Sequence, residues 1–178
     1  MSKNKKVVIA ESGNVKLREL MDSDLEWLVK YANNGKVAIN LRDAFPQPYT
    51  HNDAENFKTM IDSQNPKTIF AIEYQDRYVG NISLLPGGDV YRKSAEIGYF
   101  IGEPFWNKGI MTKAVNLITH WGFCNLDILR IHTGIFEFNK ASRRVLEKCG
   151  YNKEAIFRKS ICKNNEIFDE IRYAKVKE

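Results

Sequence analysis

The sequence predicts an α/β fold, in which one mixed, mostly antiparallel sheet of about six to seven strands is flanked by helices. Short apolar runs typical of strands alternate with helical patterns along the chain. Two of these runs are separated only by Gln75-Asp76, which is typical of an antiparallel hairpin. A strand, a helix and another strand follow one another over residues 94–136, an order that makes the two strands parallel. No linker or repeat interrupts the pattern, so we expect a single domain over residues 1–178.

The first half of the chain predicts a strand, two helices and a hairpin. Residues 15–20 form the strand, and Ser23-Asp-Leu-Glu26 matches a capping box at the start of a helix that ends near Asn33. A polar segment containing proline, residues 34–49, leads to Thr50, which is expected to cap the second helix. The hairpin strands cover residues 68–74 and 77–85.

The second half predicts two helices between strands. The longer helix runs from Lys108 to about Asn125, because its apolar residues recur every three to four positions. The shorter one covers residues 140–149 and is followed by Gly150, a residue type favoured just past a helix end. The predicted strands of this half cover residues 94–101, 129–136, 155–162 and 167–176.

Residues 96–114 are the most informative segment, since a buried strand is followed there by a short turn and the start of a helix marked by glycine. A helix start presents unpaired backbone N–H groups and the positive end of the helix dipole, which together can bind a phosphate. Gly109 lies where such a ligand would need to approach the backbone closely. Alone, the segment is equally consistent with an ordinary turn before a surface helix.

A second segment decides between these interpretations. Asn139-Lys-Ala-Ser142 opens the next helix, and Leu146-Glu-Lys-Cys-Gly-Tyr151 closes it. In their order and spacing, the two segments resemble the cofactor-binding motifs of the GNAT acyl-CoA N-acetyltransferases, most closely the branch that includes the ribosomal-protein N-terminal acetyltransferases. The resemblance spans essentially the whole chain. It implies an enzyme that moves an acetyl group from acetyl-CoA to a primary amine without a metal, and a homodimer is compatible with the family.

The resemblance also implies cofactor contacts. In the family, the pantetheine arm bonds to the backbone of the strand that here contains Tyr99, Phe100 and Ile101. The pyrophosphate is expected on the backbone N–H groups from Lys108 through Gly109, Ile110 and Met111 to Thr112. The helix start at Asn139, Ser142 and Arg144 is expected to complete the cofactor site.

Three positions depart from the family pattern. Asn107 stands where relatives usually have glycine, and Met111 replaces the last small residue of the phosphate loop; Asn is a strong N-cap, so binding is expected to survive. Many relatives protonate the leaving thiolate with a tyrosine at the position that here is Leu146, which cannot donate a proton. Ser142 is the nearest replacement as the acid, although it could serve only to cap the helix together with Asn139.

Glu96 is the best candidate for the catalytic base, because its strand leads into the expected cofactor site. A surface salt bridge is an equally good interpretation of this residue, and many relatives rely on chains of water instead. His120 and His132 are weaker candidates, since one lies on the long helix and the other on a strand that is otherwise apolar.

Charge and cysteine content narrow the function further. The formal net charge is +5, and the excess of Lys and Arg lies in residues 90–178, which suits a cofactor with several phosphates but also an ordinary basic surface. No aromatic-rich basic stripe favours nucleic acid. An odd number of cysteines without a Cys-x-x-Cys pair predicts neither a disulfide framework nor a zinc site, and we expect buried thiols in a reducing cytoplasm. Residues 1–10 lack the apolar run of a signal peptide, and no run is long enough to span a membrane.

The acceptor is left open by the sequence. A protein N-terminal amine and a small amine, such as a polyamine, an amino sugar or an antibiotic, need the same chemistry. Carboxylates in residues 22–63 would attract a cationic acceptor, but they equally suit helix starts; they are Asp22, Asp24, Glu26, Asp43, Asp53 and Glu55. From other classes, a non-catalytic acyl-CoA sensor is suggested by Leu146, and a basic nucleic-acid-binding protein would show steeply salt-dependent binding.

Overall fold

The structure, a computed structural model, describes residues 6–178, so the first five residues of the N-terminal run in which we expected no signal peptide lie outside the described residues. Within these residues, one sheet of eight strands is flanked by five helices. The strands are β1 (Val8–Ser12), β2 (Val15–Arg18), β3 (Ile69–Tyr74), β4 (Arg77–Pro86), β5 (Ser94–Ile101), β6 (Arg130–Phe136), β7 (Asn152–Lys163) and β8 (Glu166–Val176). The helices are α1 (Leu25–Ala32), α2 (Gly35–Ala38), α3 (His51–Asp62), α4 (Ile110–Asn125) and α5 (Lys140–Lys148).

The strands lie in the order β1-β2-β3-β4-β5-β6-β8-β7, and every neighbouring pair is antiparallel except β5 and β6. The predicted mixed sheet is therefore confirmed, with its one parallel pair joined through α4. Helices cover both faces: α4 and α5 pack on a core that includes Ile97, Ile118 and Ile131, whereas α1 and α3 pack on the opposite face through Leu28 and Ile61.

The sheet has one strand more than predicted. Strand β1 pairs only with β2, at the edge of the sheet, after a turn in which Gly13 has a φ of 60°. Because most of its five side chains are partly or fully exposed, no alternation of apolar residues marks it in the sequence. A second addition is α2, one turn of helix within the segment predicted as a loop.

The predicted capping box at Ser23 is wrong. The carboxylate of Asp24 accepts a hydrogen bond of 2.8 Å from the Met21 N–H and pairs with the buried guanidinium of Arg18 at 2.6 Å. Helix α1 consequently begins at Leu25, after a 3-10 turn. The cap at Thr50 is confirmed, since its Oγ1 accepts the N–H of Asp53 at 3.2 Å.

The expectation of three buried thiols holds only for Cys149. Cys124 is exposed at the end of α4, and Cys162 is exposed on β7, which is the edge strand at the far side of the sheet. Both thiols lie on surfaces that face solvent. Among the described residues, none of the helices has the length and apolar character needed to cross a membrane.

Candidate functional site

A gap opens in the middle of the sheet, where β5 and β6 part. The two strands pair only over Ser94, Ala95 and Glu96, which lie opposite residues 130–132. Beyond this point β5 stays paired with β4 as far as Ile101, while β6 stays paired with β8 as far as Phe136. The backbone of residues 97–101 therefore has no strand partner on its β6 side in the described part of the chain.

A cavity of about 860 Å³ occupies this gap and continues to the starts of α4 and α5. It is lined by all the residues that the sequence predicts for the site: Glu96, Tyr99, Phe100, Ile101, Lys108, Gly109, Ile110, Met111, Thr112, Asn139, Ser142 and Arg144. Segments far apart in sequence are thus brought to one place. The volume is within the range of pockets that hold cofactor-sized ligands.

The start of α4 differs by two residues from the prediction. The N-cap is Gly109, with a φ of 71°, rather than Asn107. The first intrahelical hydrogen bond runs from the Lys113 N–H to the Gly109 carbonyl at 3.2 Å. The N–H groups of the first helical turn have no intrahelical partner. A Cβ atom added to Gly109 would meet nothing within 4 Å, so the outer side of this turn is open. Such an open, positively polarised helix start fits an anionic group such as a pyrophosphate.

The turn before α4 is fixed by an indole. Trp106 donates from Nε1 to the carbonyl of Ile101 at 2.9 Å, which folds the chain back at the end of β5. No motif in the sequence assigned a role to this tryptophan. Its place in the turn between the predicted strand and the predicted helix was an available signal.

The start of α5 has the predicted cap and an additional contact. Asn139 accepts the N–H of Ser142 on its Oδ1 at 3.1 Å, so the backbone of Ser142 satisfies the cap and its hydroxyl is free for other contacts. That hydroxyl lies 2.7 Å from the hydroxyl of Tyr99 on β5. Burial raises the pKa of Tyr99, and the contact with Ser142 partly opposes the rise. Leu146 is fully buried in the core and does not line the cavity.

Four of the basic residues on the two motif segments line the cavity. They are Lys108, Lys140, Arg144 and Lys148, whereas Lys113 and Arg143 are not among the lining residues. Their positive charge adds to that of the helix starts, which favours a ligand with several phosphates.

Glu96 is the last residue of β5 that pairs with β6, so its side chain lies where the gap begins. It accepts a hydrogen bond from Nη2 of Arg42, in the segment that follows α2. His132 lies opposite Glu96 on β6, and burial lowers the pKa of its imidazole although the charge of Glu96 opposes this. His120 lies outside the cavity lining, on α4, with its Nε2 3.7 Å from the sulfur of Cys124.

Residues 14–152 match the family model of the acetyltransferase (GNAT) domain. This match covers well over half of the chain. The chain belongs to the GNAT acetyltransferase family.

Similar proteins agree with this membership. A probable N-acetyltransferase of Bacillus subtilis, YjcK, is 40% identical over 95 residues, which are 53% of this chain and 52% of that protein. The crystal structure of the microcin C7 self-immunity acetyltransferase MccE, with acetyl-CoA and AMP, is 30% identical with a TM-score of 0.77, and the match covers 93% of each chain. The ribosomal L7/L12 α-N-protein acetyltransferase RimL, in complex with coenzyme A, shares the fold at 21% identity and a TM-score of 0.82, over 96% of this chain and 98% of that one.

The second wall of the GNAT cavity, called the acceptor wall below, comes from the segment between α2 and α3, which includes Leu41, Arg42 and Phe45. The resemblance implies that residues 22–63 form a wall of the acceptor site, but it assigns no role to single residues of this segment. Phe45 meets Phe100 of β5 edge to face at 5.7 Å and stacks on Tyr49 at 5.0 Å. Lys163, at the end of β7, donates to the carbonyl of Leu41 at 2.8 Å. No spacing in the sequence predicts these contacts, because the partners lie on separate elements.

The six carboxylates of residues 22–63 that could attract a cationic acceptor do not face the cavity. Of the six, only Asp24 is buried, and it belongs to the Arg18 pair. At the surface Asp43 pairs with Lys163 and Asp22 pairs with Lys58, and the half-buried Asp53 caps a helix. None of the six lines the cavity of this GNAT domain.

No three His, Cys, Asp or Glu side chains within residues 6–178 come close enough together to hold a metal ion. The expectation that this GNAT domain works without a metal stays a prediction.

Proposed function

We propose that the chain is an N-acetyltransferase that moves an acetyl group from acetyl-CoA to a primary amine, by direct attack while both substrates are bound. The parting of β5 and β6 after Glu96 carries this proposal, because it leaves strand backbone facing a cavity that continues to two helix starts. MccE, which is 30% identical to this chain, was solved with acetyl-CoA, and this supports acetyl-CoA as the co-substrate.

Acetyl-CoA supplies the activated acetyl group, held as a thioester. We assign the binding of its pantetheine arm to the free edge of Tyr99, Phe100 and Ile101, which can exchange hydrogen bonds with it as a neighbouring strand would. Backbone N–H groups of this edge would also stabilise negative charge on the carbonyl oxygen. The phosphates would lie on the N–H groups of residues 108–112, with Asn139, Ser142 and Arg144 beside them.

Glu96 is assigned as the base that takes a proton from the amine. Its carboxylate lies where the gap begins and lines the cavity, so an amine that enters beside β5 can reach it directly or through one water. Holding the amine and the thioester in line supplies a large part of the rate in such a reaction.

Ser142 is assigned as the acid that protonates the leaving thiolate. Its backbone already satisfies the cap at Asn139, so its hydroxyl is available, and the Tyr99 hydroxyl at 2.7 Å can replace the donated proton. The two hydroxyls take over the task that a tyrosine at the position of Leu146 performs in many relatives.

Other features of the proposal rest on the sequence. We expect residues 1–178 to act as a single domain in the cytoplasm, and a homodimer stays a prediction. The acceptor is a protein N-terminal amine or a small amine: RimL is by name an α-N-protein acetyltransferase, and MccE was solved with AMP. Nucleic acid and membrane are not expected as partners.

The proposal is tested by measuring thiol release from acetyl-CoA by the purified protein with N-terminal peptides, amino acids, polyamines and aminoglycosides. We expect turnover that depends on the amine and saturates with acetyl-CoA. Tight coenzyme A binding without turnover of any amine would instead favour the acyl-CoA sensor. Binding of nucleic acid that does not depend on coenzyme A and weakens steeply with salt would favour a nucleic-acid-binding protein.

A further inference from the structure

The acceptor end of the cavity holds an ion pair between Arg42 and Glu96. Both residues line the cavity, and their side chains are 67% and 26% exposed. Ion pairs with this degree of exposure contribute little to stability. A ligand that offers each partner a better contact can therefore exchange with the pair at little cost.

The residues on both sides of Arg42 are held in place, while its side chain is largely exposed apart from the pair with Glu96. Lys163 donates to the carbonyl of Leu41 at 2.8 Å and pairs with Asp43 at 2.5 Å, and Lys163 itself is only 9% exposed. These contacts tie the residues before and after Arg42 to the end of β7. The guanidinium can thus turn toward a ligand without movement of the segment that carries it.

The charges of the cavity disfavour a polyamine. Within residues 6–178, Glu96 is the only carboxylate that lines it, and the six carboxylates of the wall lie elsewhere. A polyamine carries several ammonium groups, and most of them would find no carboxylate partner there. Four of the cations that line the cavity belong to the two segments assigned to the cofactor: Lys108, Lys140, Arg144 and Lys148. Arg42 is the remaining lining cation, and it lies beside Glu96, where the acceptor amine is expected.

The apolar surface beside the ion pair is aromatic. Glu96 and Phe100 lie four residues apart on β5 and therefore point to the same face of the sheet, with Gly98 between them. Phe45 contacts Phe100 from the segment that also carries Arg42. A flat apolar group attached to the acceptor would find its contacts here, next to both charges.

From these observations we infer that the acceptor is a small zwitterion, a primary amine with a carboxylate or phosphate nearby, preferably with an aromatic or apolar body. Its ammonium replaces Arg42 at Glu96, and its anion replaces Glu96 at Arg42. Arg binds carboxylate and phosphate alike through two parallel N–H···O bonds. This inference rests on the proposed N-acetyltransferase function and narrows its acceptor.

The exchange also prepares the reaction. Glu96, released from Arg42, takes a proton from the ammonium, and the amine nitrogen forms a bond to the acetyl carbon as the carbon–sulfur bond breaks. Sulfur leaves with the electron pair and receives a proton from Ser142, which is resupplied from Tyr99 and then from water. Glu96 returns its proton to solvent, and the nitrogen, now bonded to the acetyl carbon, loses its second proton to water. The ammonium and acetyl-CoA thus become the acetamide, free coenzyme A and one proton.

Matched amines test the inference through two readouts. Phenylalanine is compared with phenethylamine, which lacks the carboxylate, and phosphoethanolamine with ethanolamine; spermidine is the polycation. We measure kcat/KM for thiol release, and calorimetric binding of each amine to the protein loaded with coenzyme A. We expect the anionic member of at least one pair to bind and react about 10- to 100-fold better than its partner, as a charge-assisted contact implies. The pair that shows the difference identifies carboxylate or phosphate.

Arg42→Gln is expected to remove this preference, while Arg77→Gln, an exposed arginine that does not line the cavity, keeps it. Spermidine or phenethylamine binding as well as the zwitterions, or an equal loss for all amines in Arg42→Gln, would overturn the inference and leave the acetyltransferase function intact. Absence of turnover and of amine binding with every compound, despite coenzyme A binding, would overturn both.

Discussion

The hydroxyls of Tyr99 and Ser142 lie 2.7 Å apart and join strand β5 to the first turn of α5 inside the cavity. The same fold contains a second pair of this kind, since Thr119 Oγ1 and the hydroxyl of Tyr151 also lie 2.7 Å apart. That second pair is buried and does not line the cavity. The chain therefore supplies its own control for experiments on the first pair.

Ser142→Ala is expected to lower kcat by about 10²-fold or more, because general acid catalysis contributes about 10²- to 10⁴-fold. KM for acetyl-CoA should change little, since the cap made by Asn139 uses the backbone of Ser142. Tyr99→Phe should lower kcat by a smaller factor, because Ser142 keeps its hydroxyl. Steady-state kinetics with acetyl-CoA and a reactive amine measure both effects.

Thr119→Ala and Tyr151→Phe are the matched controls. Each of the four variants removes one hydroxyl of a pair and leaves the other hydroxyl without its partner, which costs about 1–3 kcal/mol in the free energy of unfolding. Only the cavity pair should affect kcat. If the control variants lowered kcat as much as Ser142→Ala, the loss would reflect destabilisation and not proton transfer.

Gly109→Ala is expected to weaken the binding of coenzyme A by about tenfold. The φ of 71° costs a residue with a side chain about 1–2 kcal/mol, and relief of that strain would turn the N–H groups of the α4 start away from the phosphates. Gly13→Ala, at a φ of 60° in the turn between β1 and β2, carries the same strain at a position that does not line the cavity. Calorimetric titration with coenzyme A should therefore separate the two variants, although urea denaturation gives them similar losses of stability.

Lys163→Met is expected to lower kcat/KM for the amine by about 10- to 100-fold, the factor associated with a displacement of about 1 Å in a positioning segment. KM for acetyl-CoA should remain the same, because Lys163 contacts Leu41 and Asp43 of the acceptor wall. Lys175→Met removes a comparable bond, from Lys175 to the carbonyl of Cys149 at 2.8 Å, and should leave both constants unchanged. A rise in KM for acetyl-CoA in Lys163→Met would contradict a role confined to the acceptor wall.

Cys149 is expected to be inert in the native protein. Burial raises the pKa of its thiol to about 11, so at pH 8 little reactive thiolate forms, whereas Cys124 and Cys162 are exposed. A thiol reagent should modify two of the three cysteines in the native protein and the third only after denaturation. Equal reactivity of all three without denaturant would show that the packing around Cys149 opens readily.

The same thiol predicts a pH dependence of stability. The ordinary pKa of a cysteine thiol is 9.0, and that of Cys149 in the native protein is about 11. Between pH 9 and pH 11 the thiol therefore loses its proton in the unfolded chain and keeps it in the native protein. Its contribution to the free energy of unfolding is therefore complete below about pH 9 and is lost as the pH rises toward 11. The slope of stability against pH in this range should be smaller for Cys149→Ala than for the unsubstituted protein.

Features that depend on nearby residues could be predicted from the sequence. The hairpin turn at Gln75-Asp76, the cap at Asn139 and the end of α5 at Gly150 all follow from local residue preferences, and the structure has each of them. The motifs also located the cavity, because a helix start that follows a parallel strand must lie at the end of that strand. The start of α4 shifted by two residues because Asn107 and Gly109 both adopt positive φ before the helix begins.

The acceptor wall could not be predicted in the same way. Arg42 meets Glu96 across 54 residues, and Lys163 meets Asp43 across 120. Periodicity shows which residues of one element are buried together, but not which exposed charge of another element will face them. Strand β1 was missed for a related reason: it lies at the edge and needs no apolar alternation.

Only three residue pairs join β5 to β6, so the sheet consists of two hydrogen-bonded halves held together mainly by the side chains beneath them. The distance between the halves is then a property of the core, set by residues such as Ile118 and Ile131 that do not line the cavity. Conservative changes in those apolar residues should therefore change kcat or KM. In this fold, the packing of the interior determines both the stability of the protein and the width of the cavity.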